Sequence, residues 1–289
     1  MIGNIIGVLY DGFAYGMLLF LLSVGMSVTL GMMNFVNLAH CAFAMIGGFV
    51  TVTLINNFGW PFLATLPAAF AAAAAVSVVF ERILFRRFYR ATDLDQCLLT
   101  IGVVFVSIAT AAYLFGTTQQ PVRLPGWIIG VVAIGGHNFG VYRFFLIVVA
   151  LAITAALIAG VEHTSFGARV RAAVDNQRMA RGLGIDVDRV FALTFALGSG
   201  LAGLGGALAI EVVGLDPQFA FTYLVYVLIV VSLGGMGSVG GAFAAAVLLG
   251  VSDTAGKYYM PQVSAFLIYV IVVALLMWRP LGLFGKRHA

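Results

Sequence analysis

Gly235-Met236-Gly237-Ser238-Val239-Gly240 reproduces the GxGxxG pattern of dinucleotide sites letter for letter. That fingerprint works only after a β-strand, at the start of a helix, with an acid about 20 residues further on. Here both flanks are strongly apolar and the next acid, Asp253, comes too soon. The glycines read better as an unwound stretch that allows close helix contact. No Walker A motif is present: the nearest string, Gly250 to Lys257, is followed by Tyr258 where Ser or Thr must stand. His40 precedes Cys41 and Ala42, so HExxH is absent, and Gly198-Ser199-Gly200 lacks the GxSxG spacing. Cys41 and Cys97 make no CxxC. Neither catalysis, a metal site nor a cofactor in this chain is expected. An ATP-driven machine built on it must take its ATPase, with the ATP and Mg, from another polypeptide.

Polar groups embedded in apolar sequence remain. Between two apolar runs, Gly31 to His40 carries Asn34, Asn37 and His40; between two others stands Gly234 to Gly241, with Gly235, Gly237 and Ser238. Interrupted spans in corresponding halves of a chain point to an internal repeat and a mid-membrane pathway. Both segments are therefore expected to line such a pathway. Ionisable residues in or near apolar runs are His40, Glu211, Asp253 and Asp11; a charge at bilayer centre costs about 2.5–3.5 kcal/mol on insertion scales, which makes each a candidate. Glu211 and Asp11 are expected at the outer interface, and Asp253 with Lys257 as a helix-end ion pair.

The elements that must position these residues follow from composition. Of 289 residues, 62% are hydrophobic and 9% charged, against about 25% charged in a soluble domain. No charge occurs from Gly12 to Phe80, nor from Pro217 to Ser252. A helix crosses about 30 Å of hydrocarbon with roughly 20 residues, so the chain reads as an all-α, polytopic integral membrane helix bundle, a single transmembrane domain over 1–289. About eight or nine spans are expected, some broken or re-entrant: about Ile5–Leu30, Leu38–Ile55, Pro61–Phe80, Cys97–Phe115, Tyr142–Val161, Phe191–Val213, Thr222–Leu233, Gly241–Thr254 and Val263–Trp278. The net charge of +4 reflects orientation rather than nucleic-acid binding. Its cations cluster at Arg82–Arg90, Arg169–Arg189 and Arg279–Arg287; only Arg123, Arg143 and Lys257 lie elsewhere. Under the positive-inside rule this puts the N-terminus outside and the C-terminus in the cytoplasm. Gly198, Ala202 and Gly206, like Gly12 and Gly16, have the spacing of close helix packing in membranes. The outer segment Gly116–Val141, with Trp127 in an interfacial belt, reads as a connection or lid. The cytoplasmic loop at about 162–190 predicts a short amphipathic helix, with Val170, Ala173 and Val174 on one face and Arg171, Asp175 and Arg178 largely off it. Gly182 or Gly184 is expected to end it. Such a helix suits either anionic lipid or a partner's groove.

Gly31-Met-Met-Asn-Phe-Val-Asn-Leu-Ala-His40 with Gly47-Gly48 resembles the early signature of branched-chain amino acid ABC permeases of the LivH type. Gly167-Ala-Arg-Val-Arg-Ala-Ala-Val-Asp175, with Ala180 and Gly184, is similar to their coupling loop. Leu233 to Gly241 and Arg279-Pro-Leu-Gly-Leu-Phe-Gly285 are similar to their C-terminal signatures. The resemblance implies an inner-membrane subunit that works with a second related permease, two cytoplasmic ATPases and a periplasmic binding protein. It also implies that Arg169, Arg171, Ala172, Ala173, Asp175, Arg178, Arg181 and Gly184 belong to the ATPase-coupling region. Two residues depart from the pattern: Cys41, where a small residue usually follows the His, and Arg171, where the EAA pattern of ABC importers has Glu. Urea, short amides, aromatic acids or a sugar are the alternative cargoes within the family; an ion-coupled secondary transporter or a purely structural subunit are the alternatives outside it.

Overall fold

The structure, a computed structural model, describes residues 2–33, 35–89, 91–134, 137–235, 237–280 and 282–284. Apolar helices stand at each of the expected places. They are α1 (Ile2–Met33), α2 (His40–Phe58), α3 (Phe62–Phe80), α5 (Asp93–Phe115), α7 (Val141–His163), α10 (Val187–Val213), α11 (Phe219–Gly234), α12 (Val239–Tyr259) and α13 (Ser264–Trp278). A π-helical turn, Glu81–Phe85, carries α3 into the short α4 (Arg86–Phe88); α8 (Ser165–Asp175) and α9 (Gln177–Gly182) form the loop before α10. Among the described residues, seven helices are long and apolar enough to cross a membrane, while α11 and α13 are shorter apolar helices.

Start signals recur where chains enter the bundle. Thr92 accepts a hydrogen bond from Asp95 N, Asp186 from Arg189 N and Ser238 from Gly241 N, each capping free N–H groups of the following helix. Glycines at positive φ, Gly59, Gly116 and Gly214, close α2, α5 and α10. α12 runs five residues beyond the span end expected at Thr254, to Tyr259. The charges do not stop it because Lys257 Nζ reaches Asp253 Oδ2 at 2.6 Å one turn back. The segment between α5 and α7 contains α6 (Gly126–Ile129) and one feature that an all-α reading lacks: strands β1 (Val131–Ile134) and β2 (His137–Gly140) pair antiparallel, Val131 opposite Gly140. Tyr10 anchors this hairpin to α1, donating to Gly140 O at 2.8 Å.

α1 and α10 form the centre: 61% and 78% of their most apolar stretches are buried, against 17% for α5 and 11% for α7. In lipid, helices gain little by hiding Leu from Leu, so close backbone approach over small residues holds them. Gly12 and Gly16 of α1 lie against Val251 and Val247 of α12; a Cβ added at either would stand 2.7 or 2.8 Å from the opposing Cα. Gly25 meets Gly198 of α10, while Gly203 and Gly206 of α10 meet Gly47 and Ala44 of α2. The small-residue spacing read in the sequence is thus a packing seam.

The packing is also two-fold in pattern. α1 lies along α12 as α10 lies along α3, while α1 with α10 and α2 with α11 pack on each other. These pairings match α1–α2–α3 to α10–α11–α12. The connection equivalent to the Asn37 segment is then Gly214–Gln218, not the glycine run expected from sequence. The glycine run instead meets the first break directly, Gly31 against Gly237.

Candidate transport pathway and coupling surface

Residues 35–39, between α1 and α2, are not helical and are largely buried in protein, one of the conditions under which open backbone is tolerated at membrane depth. α5 supplies its hydrogen bonds. Val36 N donates to Gln96 Oε1 at 3.0 Å, and Leu38 N donates to Thr100 Oγ1 at 3.2 Å, one turn further along α5. Gln96 is held in turn by donating to Phe88 O and Ala91 O. The segment therefore climbs beside α5, and α2 starts about 10 Å beyond the α5 N-terminus at 1.5 Å per helical residue. Phe35 is clamped between Phe85 and Tyr89, ring centroids 5.6 and 5.4 Å away.

This brings Asn37 and His40 to the buried start of α2. Asn37 Oδ1 accepts from Ala39 N at 3.1 Å. Its Nδ2 lacks a hydrogen-bond partner among the described residues, and the fully buried His40 ring faces the Leu22 main chain without a hydrogen bond of full geometry. Buried polar atoms are nearly always paired, so these groups stand out in an otherwise apolar interior. Ser27 of α1, Thr51 of α2 and Ser199 of α10 add buried, unpartnered hydroxyls. Sequence reading passed over them because lone hydroxyls in apolar runs carry no signal. Asn34 lies outside the described residues.

The second break has a different character. Gly235 (φ 91°) and Gly237 (φ 78°) turn the chain, and Ser238 Oγ is used as the α12 cap. Gly234 and Gly241 touch closely enough to exclude any side chain. The C-terminal signature folds back onto this joint: Leu283 N donates to Leu233 O at 2.6 Å and Phe284 N to Gly234 O at 3.3 Å. Carbonyls freed at the end of α11 are thus satisfied.

α8 and α9 form a compact pair. Thr164 caps α8 and Asn176 caps α9, and Gly184, at φ 80°, turns the chain into α10. Val170, Ala173 and Ala180 are buried with Val187, Val190 and Phe191. Val174, expected on that face, is instead 37% exposed, because the pair packs on one side only. Arg169, Arg171, Asp175, Arg178 and Arg181 are exposed, and Ala172 is half-buried. Arg171 donates to Val161 O at the end of α7. Arg181 reaches Asp188 at 2.8 Å, and Asp188 also pairs with Arg86 of α4. Met179 and Leu183, 67% and 79% exposed, were missed in the sequence because they look like ordinary loop apolars. Glu81, next in sequence to the basic cluster that begins at Arg82, is buried and accepts from Tyr89 OH at 2.8 Å. Burial, then the Glu81 charge, raise the Tyr89 phenol above its ordinary pKa, so it stays a donor. A chain of contacts thus runs from α9 through Asp188 and Arg86 to the π-helical turn and Phe35.

The family described as the permease component of branched-chain amino acid transport systems matches residues 8–276. The permease protein BraD of the high-affinity branched-chain amino acid transport system of Pseudomonas aeruginosa is 26% identical, over 96% of this chain and 95% of its own. LivH of Escherichia coli is 25% identical over 96% and 94%, and LivM of Escherichia coli 25% over 92% and 68%. No solved structure matches the chain. A match across nearly its whole length, on a bundle of apolar helices, shows that this chain is a multi-pass membrane protein that belongs to the branched-chain amino acid transport permease family.

Proposed function

We propose that the chain is a permease subunit of an ATP-driven importer that carries branched-chain or related hydrophobic amino acids across the bacterial inner membrane. It works beside a second related permease, with two cytoplasmic ATPases that bind ATP and Mg and a periplasmic binding protein. The N-terminus faces outward, and α8, α9 and the C-terminus face the cytoplasm. The observation that carries this is the α8–α9 pair: a preformed helical knob with exposed Val174, Met179 and Leu183 among exposed arginines. Apolar anchors with a basic rim suit a helix-in-groove contact with a partner. Arg169, Arg171, Arg178 and Arg181, with Gly184 setting the turn, form the contact region. Asn34, Asn37 and His40 line the pathway, and the Gly234–Ser238 joint allows the two halves to move.

An ion-coupled carrier needs membrane acids free to bind its ion. Glu81 is bonded to Tyr89, and Asp253 carries its own counter-cation, Lys257, so a lone ion would meet no net negative charge there, which weighs against that alternative. The test is gentle extraction of the tagged chain from its native membrane and mass spectrometry of what accompanies it. A Walker-motif ATPase is expected, lost when Arg171, Arg178 and Arg181 are changed to Glu. Recovery of the chain alone, still transporting without ATP, would overturn the proposal.

A further inference from the structure

At the end of the bundle opposite α8 and α9 lies a cavity of about 450 Å³ between α1, α7, α10, α11 and α12. Its walls carry Asp11, Arg143, Asp253 and Lys257, with Tyr15 and Tyr223. Asp11 pairs with Arg143 across the gap between α1 and α7. Asp253 pairs with Lys257 at 2.6 Å along α12. Read singly, these are helix-end ion pairs; together they place two cations and two carboxylates around one space.

The charges sum to zero, which restricts what the cavity takes. A lone cation or anion entering it would draw one protein charge from its partner and leave the other uncompensated, which is costly beside the nearly buried Asp253 carboxylate. A ligand that carries both signs can exchange partners with the existing pairs at no net charge. The Asp253 side chain is only 4% exposed, while that of Lys257 is 61% exposed. The carboxylate is therefore fixed and largely dry, and the ammonium, on a flexible stem over the Tyr15 ring at 5.5 Å, is free to turn toward a ligand carboxylate. Arg143, 43% exposed, offers the forked donor geometry that suits a second such contact. Tyr15 and Tyr223 supply ring faces for an apolar side chain.

We propose that this cavity binds an α-amino acid as its zwitterion, its ammonium on Asp253 and its carboxylate on Lys257 and Arg143. It is a second binding site in the chain, separate from Asn37 and His40 on the coupling side. The ligand's identity rests on the importer reading above. The test uses the full chain in lipid nanodiscs, with radiolabelled L-leucine displaced by L-leucinamide, which lacks the carboxylate, or by 4-methylpentanoate, which lacks the ammonium. Leucine is expected to bind saturably and each stripped analogue at least tenfold more weakly. Lys257→Gln and Arg143→Gln, at exposed side chains that leave the helix seams intact, are expected to weaken leucine at least tenfold and to narrow its advantage over leucinamide. Equal binding of the three probes, no saturable leucine binding, or wild-type affinity in both variants overturns the proposal. The same selectivity in a chain whose assembled complex shows no ATP-driven uptake supports the cavity while refuting the importer reading.

Discussion

Gln96→Leu removes a side chain of nearly equal size that makes three hydrogen bonds to the backbone around the first break. Its oxygen accepts from Val36 N at 3.0 Å, and its nitrogen donates to Phe88 O and Ala91 O at 3.2 and 3.3 Å. Gln96 is 2% exposed, so little water can replace what is lost. An unsatisfied buried group costs about 1–3 kcal/mol in water-soluble proteins, and interhelical hydrogen bonds in membranes average about 0.6 kcal/mol. The Val36 N–H is bonded to Gln96 Oε1 inside a buried segment, so the expected cost lies near about 2 kcal/mol. Thr100→Val, which removes the acceptor for Leu38 N and the hydroxyl's own donation within α5, is expected to cost about 1 kcal/mol. Thr100 Oγ1 also donates to Gln96 O at 2.8 Å, so the two changes act on one network and their effects should not add. Thermal unfolding in detergent, with insertion checked by membrane yield, measures both. Gln96→Leu should lower the apparent melting temperature by several degrees and reduce uptake by the assembled complex. Wild-type stability and uptake in both variants would refute the claim that α5 holds the unwound segment.

Other consequences follow from the same contacts. Asn37→Leu and His40→Leu replace buried polar groups at the start of α2 with apolar ones and should cut uptake at least tenfold without lowering the amount inserted; unchanged uptake would remove them from the pathway. Gly31→Val drives a side chain into Gly237 and should cost about 1–3 kcal/mol of overpacking, read as loss of folded protein on size exclusion. Asp188→Asn disconnects α9 from α4 but breaks only half-exposed pairs, each typically about 0.2–1 kcal/mol. Melting should shift little while ATPase activity loses its dependence on transport; a large melting shift with coupling intact would contradict this. Met179→Ser with Leu183→Ser should weaken ATPase co-purification and leave the permease fold untouched.

Helices were the most legible part of the fold, because charge is nearly absent where lipid must be and abundant where it ends. α12 overran its expected end because an i,i+4 ion pair hides charge from a hydropathy reading. The β1–β2 hairpin was signalled only by Gly135-Gly136 between two short runs, which a search for spans passes over. The clustering of Asn37 and His40 was visible as polarity between apolar runs, but not the way they are held, because Gln96 and Thr100 lie about sixty residues away in an ordinary-looking helix start. Asp11, Arg143, Asp253 and Lys257 were legible only as separate charges, since their meeting depends on how α1, α7 and α12 pack. The matching of α1–α2–α3 to α10–α11–α12 resides in helix packing and leaves little trace in residue identity.

ATP-driven uptake tests the central claim most directly. The chain, co-purified with its partners, is reconstituted into proteoliposomes containing ATP, and labelled leucine is followed in the presence of the binding protein. Uptake that requires ATP on the α8–α9 side and vanishes with the Arg171, Arg178 and Arg181 to Glu variant is the predicted result. Uptake by the chain alone, driven by an ion gradient and indifferent to ATP, would contradict it.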